Sequence, residues 1–204
     1  HISNRQTMEK ELHSALKNQE FELFYQAQIS LLDNTINGVE ALIRWHHPLN
    51  GLITPASFIP AAEECGAIIP VGRWVLQEAC RQAKAWIEDD LDFNVIAVNI
   101  SAREFDDHEF LDNVNEVLRK TGLEPSRLEL EITETVLMKN IQASTATLYA
   151  LKKMGIRISI DDFGTGYSSL SYLKRIPFDT MKIDQSFVSD ISLLNDDVLV
   201  NAII

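Results

Sequence analysis

Strand-like and helix-like stretches take turns along almost the whole chain, and this alternation restricts the fold more than any other feature. Aliphatic runs with two-residue spacing predict strands at 21–29, 35–45, 93–100, 127–133, 156–162 and 178–187. Longer stretches with helical spacing predict helices at 57–64, 71–88, 109–121, 141–154 and 168–174. A βα alternation of this kind argues for a mainly parallel sheet covered by helices. The first two strands are joined by a short polar loop containing Asp33, Asn34 and Thr35, which predicts a hairpin and one antiparallel strand.

Side chains alternate across a strand, so parity sorts them onto faces. In the second strand Gly38, Glu40, Leu42 and Arg44 share one face, and Val39, Ala41, Ile43 and Trp45 the other. Asn99 opposes Ile96, Val98 and Ile100 in position along the third strand, and Glu129, Glu131 and Thr133 oppose Leu128, Leu130 and Ile132 in the fourth. Asp161 opposes Ile158 and Ile160; Lys182 and Asp184 oppose Met181 and Ile183. One face is therefore aliphatic and suits outer helices. The other carries Glu40, Asn99, Glu131, Asp161 and Lys182, expected at one depth near the C-terminal ends of the strands, where barrel enzymes place their catalytic groups. The expected fold is α/β, a modified (βα)8 barrel with one antiparallel strand. Such a barrel has eight strands and typically about 250 residues. Residues 195–204 read as a helix in mid-pattern, so two further strands are expected after Ile204.

The segment 158–170, ISIDDFGTGYSSL, runs a buried strand into Asp161 and Asp162 and then a glycine turn. Carboxylates at the end of a buried strand cost free energy unless something pairs with them. Oxygen donors of this kind suit hard cations such as Mg²⁺ or Mn²⁺. Each residue alone has a plainer reading: a strand-end carboxylate as a cap or ion-pair partner, Asp162 as a turn cap, Lys182 as the neutraliser of Asp161. Repetition on five strands favours the functional reading. His46 and His47, before Pro48, read as a solvated loop.

The chain has 204 residues and a formal net charge of −12, which argues against a broad basic surface for duplex DNA. No apolar run approaches the roughly 18 residues of a membrane span, and no signal peptide is visible. Cys65 and Cys80 lack metal-ligand spacing and read as buried reduced thiols, which fits a cytoplasmic setting. Residues 1–19 form a polar helical pattern with a weak stripe of Met8, Leu12, Ala15 and Leu16, as in a linker entering a domain at residue 20.

The ordered motifs GVEALIRWHHP (with Glu40-Ala41-Leu42), VNIS at 98–101, LELEITET at 128–135, DDFGTGYSSLSYL at 161–173 and KIDQSFV at 182–188 are recognisable. From about residue 20 to 204 the chain resembles the EAL family of cyclic di-GMP phosphodiesterases. That resemblance implies a modified barrel with one antiparallel strand. It implies metal ligation by Glu40, Asn99, Glu131 and Asp161, with Asp162 reaching a second Mg²⁺ or Mn²⁺. It implies that Lys182 acts with Glu40 in catalysis, positioning the attacking water or the phosphate, and that cyclic di-GMP is opened to linear pGpG. Gln26 and Arg44 match positions that contact the dinucleotide, and Asp184 is placed with them as a substrate contact. Glu134 matches the residue that anchors the loop after Asp162, which the family uses for control and for homodimer contacts. The resemblance further implies an upstream GGDEF or sensor domain, no membrane contact by this domain, and, after residue 204, a strand bearing a water-activating glutamate and a QGY-type strand. Ala27 departs from the usual proline after Tyr25-Gln26, a change of backbone stiffness and of no ligand. Two other readings compete: an EAL domain that binds cyclic di-GMP without cutting it, and metal-assisted proton abstraction beside a carboxylate.

Overall fold

The computed structural model describes residues 2–164 and 175–186, with side chains from Thr7 onward. The elements run α1 (Ile2–Lys17), β1 (Phe21–Ile29), β2 (Ile36–His47), β3 (Gly51–Ile53), α2 (Pro55–Cys65), α3 (Ile68–Glu88), β4 (Val95–Ile100), α4 (Ala102–Phe105), α5 (Phe110–Thr121), a 3₁₀ turn (Pro125–Arg127), β5 (Leu128–Thr133), α6 (Glu134–Lys139), α7 (Ile141–Lys153), β6 (Arg157–Phe163) and β7 (Thr180–Ile183). The sheet order is β1-β2-β4-β5-β6-β7, with β3 off the path on β2. β1 is antiparallel to β2, and every pair from β2–β4 through β6–β7 is parallel. This is the wall of a modified TIM barrel with the expected antiparallel strand.

The aliphatic face of each strand lies under the helices. Ala41, Ile43, Ile96, Val98, Leu128, Leu130, Ile132, Ile158 and Ile160 are all buried. They meet a stripe of α3 at helical spacing, including Val71, Val75, Leu76, Ala79 and Ala83. α3 begins three residues before the expected start at Val71 because Pro70 falls in its first turn, where a missing N–H costs nothing. Phe21, Trp45, Phe58 and Trp74 form an aromatic cluster with Phe21 at its centre, 5.8–6.0 Å from each of the other three rings. From α1, Leu12 and Ala15 are buried in the same core.

Three short elements escaped the sequence reading, and one strand was read too long. His46 and His47 are not a loop: they continue β2 and pair with Leu52 and Gly51 of β3. The turn between is closed by a side chain, since His47 Nδ1 accepts from the N–H groups of Leu49 and Asn50 at 3.1 and 3.2 Å. α4 and α6 each make a short helix directly after a strand. β7 stops at Ile183 rather than Phe187, because the Asp184 carboxylate turns the chain by accepting from the Ser186 N–H at 2.9 Å. The expected helix at 168–174 and the one starting at 195 lie outside the described residues.

α4 is held by a capping box. Ser101 Oγ accepts from the Glu104 N–H at 3.3 Å, while Glu104 Oε2 accepts from the Ser101 N–H at 3.0 Å and from its hydroxyl at 2.5 Å. Burial pushes the Glu104 carboxyl up to about 7, against the two Ser101 hydrogen bonds and with help from the charge of Glu63. A carboxyl that titrates higher in the folded chain holds its proton more tightly there. Its contribution to stability is complete below the ordinary carboxylate value and is lost as the pH rises through about 7. Glu104→Gln removes this dependence. Comparing urea unfolding at about pH 5 and about pH 8, the wild type should lose on the order of 2 kcal/mol more than the variant. Parallel pH profiles would contradict the assignment.

Candidate active site

The inward face of the sheet carries the polar residues that parity places there, and the strands bring most of them together. Lys182 Nζ stands among three carboxylates: 2.6 Å from Glu131 Oε2, 3.3 Å from Glu40 Oε2 and 3.6 Å from Asp161 Oδ1. Asn99 Nδ2 donates to the other oxygen of Glu40 at 2.8 Å. Five strands, β2, β4, β5, β6 and β7, thus meet at one ammonium and one amide. Glu131 is 1% exposed, so this is a desolvated cluster rather than a surface ion pair.

The five groups do not share one depth, as the sequence had suggested. Asn99 and Glu131 are register partners, but Glu40 pairs with Ala97 and Asp161 pairs with Thr133. Glu40 therefore sits two residues below the Asn99 rung and Asp161 two residues above the Glu131 rung. That stagger is what tilted strands in a barrel wall require.

Burial pushes the Glu131 carboxyl up, opposed by the hydrogen bond and charge of Lys182 and reinforced by Glu40 and Asp161. Burial works to lower the Lys182 ammonium, but its hydrogen bond to Glu131 and the charges of Glu131, Glu40 and Asp161 outweigh it and hold it above the ordinary lysine range. Lys182 is therefore a permanent cation in this setting.

Asp162 reaches the site through a bulge. Strict alternation would turn it away from Asp161. Instead Ile160 pairs with Met181 and Phe163 with Ile183, so both aspartates oppose the single residue Lys182. Asp162 takes a left-handed backbone conformation, φ 53°, which aspartate tolerates better than most residues. Burial raises its carboxyl, as do the charges of Asp161 and Asp184, and it shares a hydrogen bond with the Asp184 carboxyl. Two carboxyl groups in hydrogen-bond contact must share a proton or admit a cation.

Glu134, 1% exposed, accepts from the Gly164 N–H through Oε2 at 3.1 Å, at the start of the turn that follows β6. The loop itself, and with it the expected dimer contact, falls at 165–174, outside the described residues. Gln26 lies opposite Glu40 in register. Arg44 donates to the Ile43 carbonyl at 2.8 Å and lies over the Phe24 ring at 5.3 Å. Beside Asn99 a cavity of about 390 Å³ opens, lined by Leu42, Pro55, Ile59, Asn99, Glu104 and Thr133 among others.

Residues 9–204 match the EAL domain family. The chain belongs to the EAL family. It is 46% identical over 196 residues to the bifunctional diguanylate cyclase/cyclic di-GMP phosphodiesterase MucR of Pseudomonas aeruginosa, covering 95% of this chain and 28% of that protein. It is 43% identical over 184 residues to the cyclic di-GMP phosphodiesterase NbdA of the same organism, covering 90% of this chain and 24% of that one. The solved structure of the PaMucR phosphodiesterase in complex with c-di-GMP matches with a TM-score of 0.90 at 45% identity, covering 95% of this chain and 78% of the other. The chain spans about a quarter of the length of these two curated relatives. Among the described residues no helix is long and apolar enough to cross a membrane.

In this EAL domain the naming tripeptide lies in mid-strand, with Ala41 buried in the core and Glu40 on the opposite, inward face. Among the described residues no three or more His, Cys, Asp or Glu side chains form a ready metal-holding group in this arrangement. The ammonium of Lys182 stands between the carboxylates instead. The donor set still fits hard cations: three carboxylates (Glu40, Glu131, Asp161) surround one ammonium, Asp162 lies beside them with Asp184 next to it, and all these donors are oxygens. One contributor was missed. Gln28 Nε2 lies 3.5 Å from Glu131 Oε1, and its Oε1 sits 2.6 Å from where a Cβ on Gly38 would be. The parity that selects Gln26 selects Gln28 as well, so the signal was present.

Proposed function

We propose that this EAL domain hydrolyses cyclic di-GMP to linear pGpG with the help of divalent metal ions. The observation that carries this reading is the convergence of Glu40, Glu131 and Asp161 on Lys182, with Asn99 bound to Glu40. Likeness to MucR and NbdA supports cyclic di-GMP as the substrate.

Glu40, Asn99, Glu131 and Asp161 would hold one Mg²⁺ or Mn²⁺, and Asp162 a second, with Asp184 beside it. Bound there, the ions supply Lewis acidity and an activated water for attack on a phosphodiester. The chain's own groups do the rest. Lys182 keeps its positive charge and offers donors to the phosphate oxygens or to the attacking water. Glu40, held by Asn99 on one oxygen and Lys182 on the other, is fixed in rotamer before substrate arrives. Glu134 fixes the start of the loop after Asp162. Gln26 and Arg44 stand on the same side of the sheet as Glu40 and can meet the dinucleotide. The cavity beside Asn99 is of a size that ligand pockets have and can seat a base.

The test is turnover of cyclic di-GMP by the full-length protein with Mg²⁺ or Mn²⁺, alongside Glu40→Ala. The wild type should produce pGpG, and the variant should fall by at least roughly a hundredfold. Binding without hydrolysis would instead make the domain a cyclic di-GMP sensor. Full activity in Glu40→Ala would remove the proposed site.

A further inference from the structure

We infer that Glu104 is a positioning residue for Asn99, and that residue 72 is glycine so that the Glu104 side chain can reach its place. β4 ends at Ile100, one residue after Asn99. The next residue, Ser101, is held by Glu104 through both its N–H and its hydroxyl, and holds the Glu104 N–H in return. The C-terminal end of the strand is thereby closed against a side chain that is only 8% exposed.

The second observation lies on another element. Gly72 sits within the 21-residue helix α3, on its buried stripe beside Val71 and Val75. It has no positive φ to explain it. A glycine there costs about 1 kcal/mol against alanine. What explains it is space: a Cβ on residue 72 would stand 1.7 Å from Glu104 Oε1 and 2.3 Å from its carboxyl carbon. The helix gives up a methyl group so that the carboxyl can fit. Glu104 and Asn99 also line the same cavity, and Asn99 in turn holds Glu40 at 2.8 Å. The link runs from Gly72 to Glu104 and Ser101 by contact, from Ser101 to Asn99 along the backbone through Ile100, and from Asn99 to Glu40 by a hydrogen bond. Its meaning for catalysis rests on the reading of Asn99 and Glu40 as metal ligands; the mechanical part does not.

The test uses the full-length protein with Gly72→Ala, Glu104→Ala, Glu104→Gln and the double variant Gly72→Ala/Glu104→Ala. The first readout needs no metal: the side-chain amide signal and hydrogen exchange of Asn99 by NMR. The second is Mn²⁺ affinity by calorimetry, and the third the split between kcat and KM. Gly72→Ala and Glu104→Ala should each disturb the Asn99 amide, weaken Mn²⁺ binding by about tenfold or more, and lower kcat more than they raise KM. Glu104→Gln should keep the hydrogen bonds to Ser101 and stay within about threefold of wild type. In the Glu104→Ala background, Gly72→Ala should add nothing, since its methyl then enters vacated space. An undisturbed Asn99 amide in both single variants, or additive losses in the double variant, overturns the inference. A wild type that binds no Mn²⁺ defeats the functional reading instead, while the Asn99 amide still decides this one.

Discussion

Lys182→Met should destabilise the metal-free protein by about 3 kcal/mol near neutral pH and abolish measurable turnover. Removing one partner of a desolvated ion pair leaves the other charge buried and uncompensated. Here the charge left is Glu131, whose side chain is 0% exposed, with Glu40 and Asp161 repelling it. The sign of the pH dependence follows. Burial already raises the Glu131 carboxyl and Lys182 opposes that rise. Without the lysine the carboxyl rises further, so the variant's stability falls more steeply as the pH increases. The deficit against wild type should be large near pH 8 and shrink near pH 5, as the carboxyls take up protons. Mn²⁺ should restore part of the lost stability if it binds these carboxylates, by ordinary mass action. Urea unfolding at the two pH values, with and without Mn²⁺, reads all of this. A deficit that does not change with pH would mean that Lys182 matters through packing alone.

Trp45→Ala should cost roughly 3–5 kcal/mol of folding stability. Trp45 is 2% exposed and lies on the helix side of β2. Its ring meets Phe21, Phe58 and His47 at 5.8, 5.7 and 4.9 Å between centroids. The indole N–H donates to Glu20 at 3.0 Å, but Glu20 is solvated, so the cavity rather than the lost hydrogen bond dominates. Because Trp45 faces away from the proposed site, turnover per folded molecule should stay near wild type at low temperature, and the loss should appear in the urea midpoint. A shift worth less than about 1 kcal/mol would mean that the aromatic cluster collapses around the gap.

Much of this architecture was legible before any coordinates. The hairpin of β1 and β2 follows from a polar loop between two strand patterns. The inward set follows from two-residue alternation, because that period is a property of the extended backbone itself. Glu40, Asn99, Glu131, Asp161 and Lys182 could therefore be assigned to one face one strand at a time. His46 and His47 could have been placed in β2, because Pro48 and the Asn50-Gly51 pair that follow them are a hairpin-turn signature, and it was overlooked. The short helix α4 carried a signature as well, Ser101 and Glu104 at capping-box spacing, and it too was overlooked.

Alternation and composition, both local, determined the fold class, the inward face of each strand and the acidic character of the cluster there. Three things were left to the tertiary structure. The stagger of Glu40 and Asp161 around the Asn99–Glu131 rung depends on which residues of neighbouring strands exchange hydrogen bonds. The admission of Asp162 depends on a bulge measured against β7, a strand that begins seventeen residues after β6 ends. The place of Lys182 among three carboxylates depends on four strands meeting at once. Each is set by pairing between distant segments, and a pattern that repeats within one strand carries no record of it.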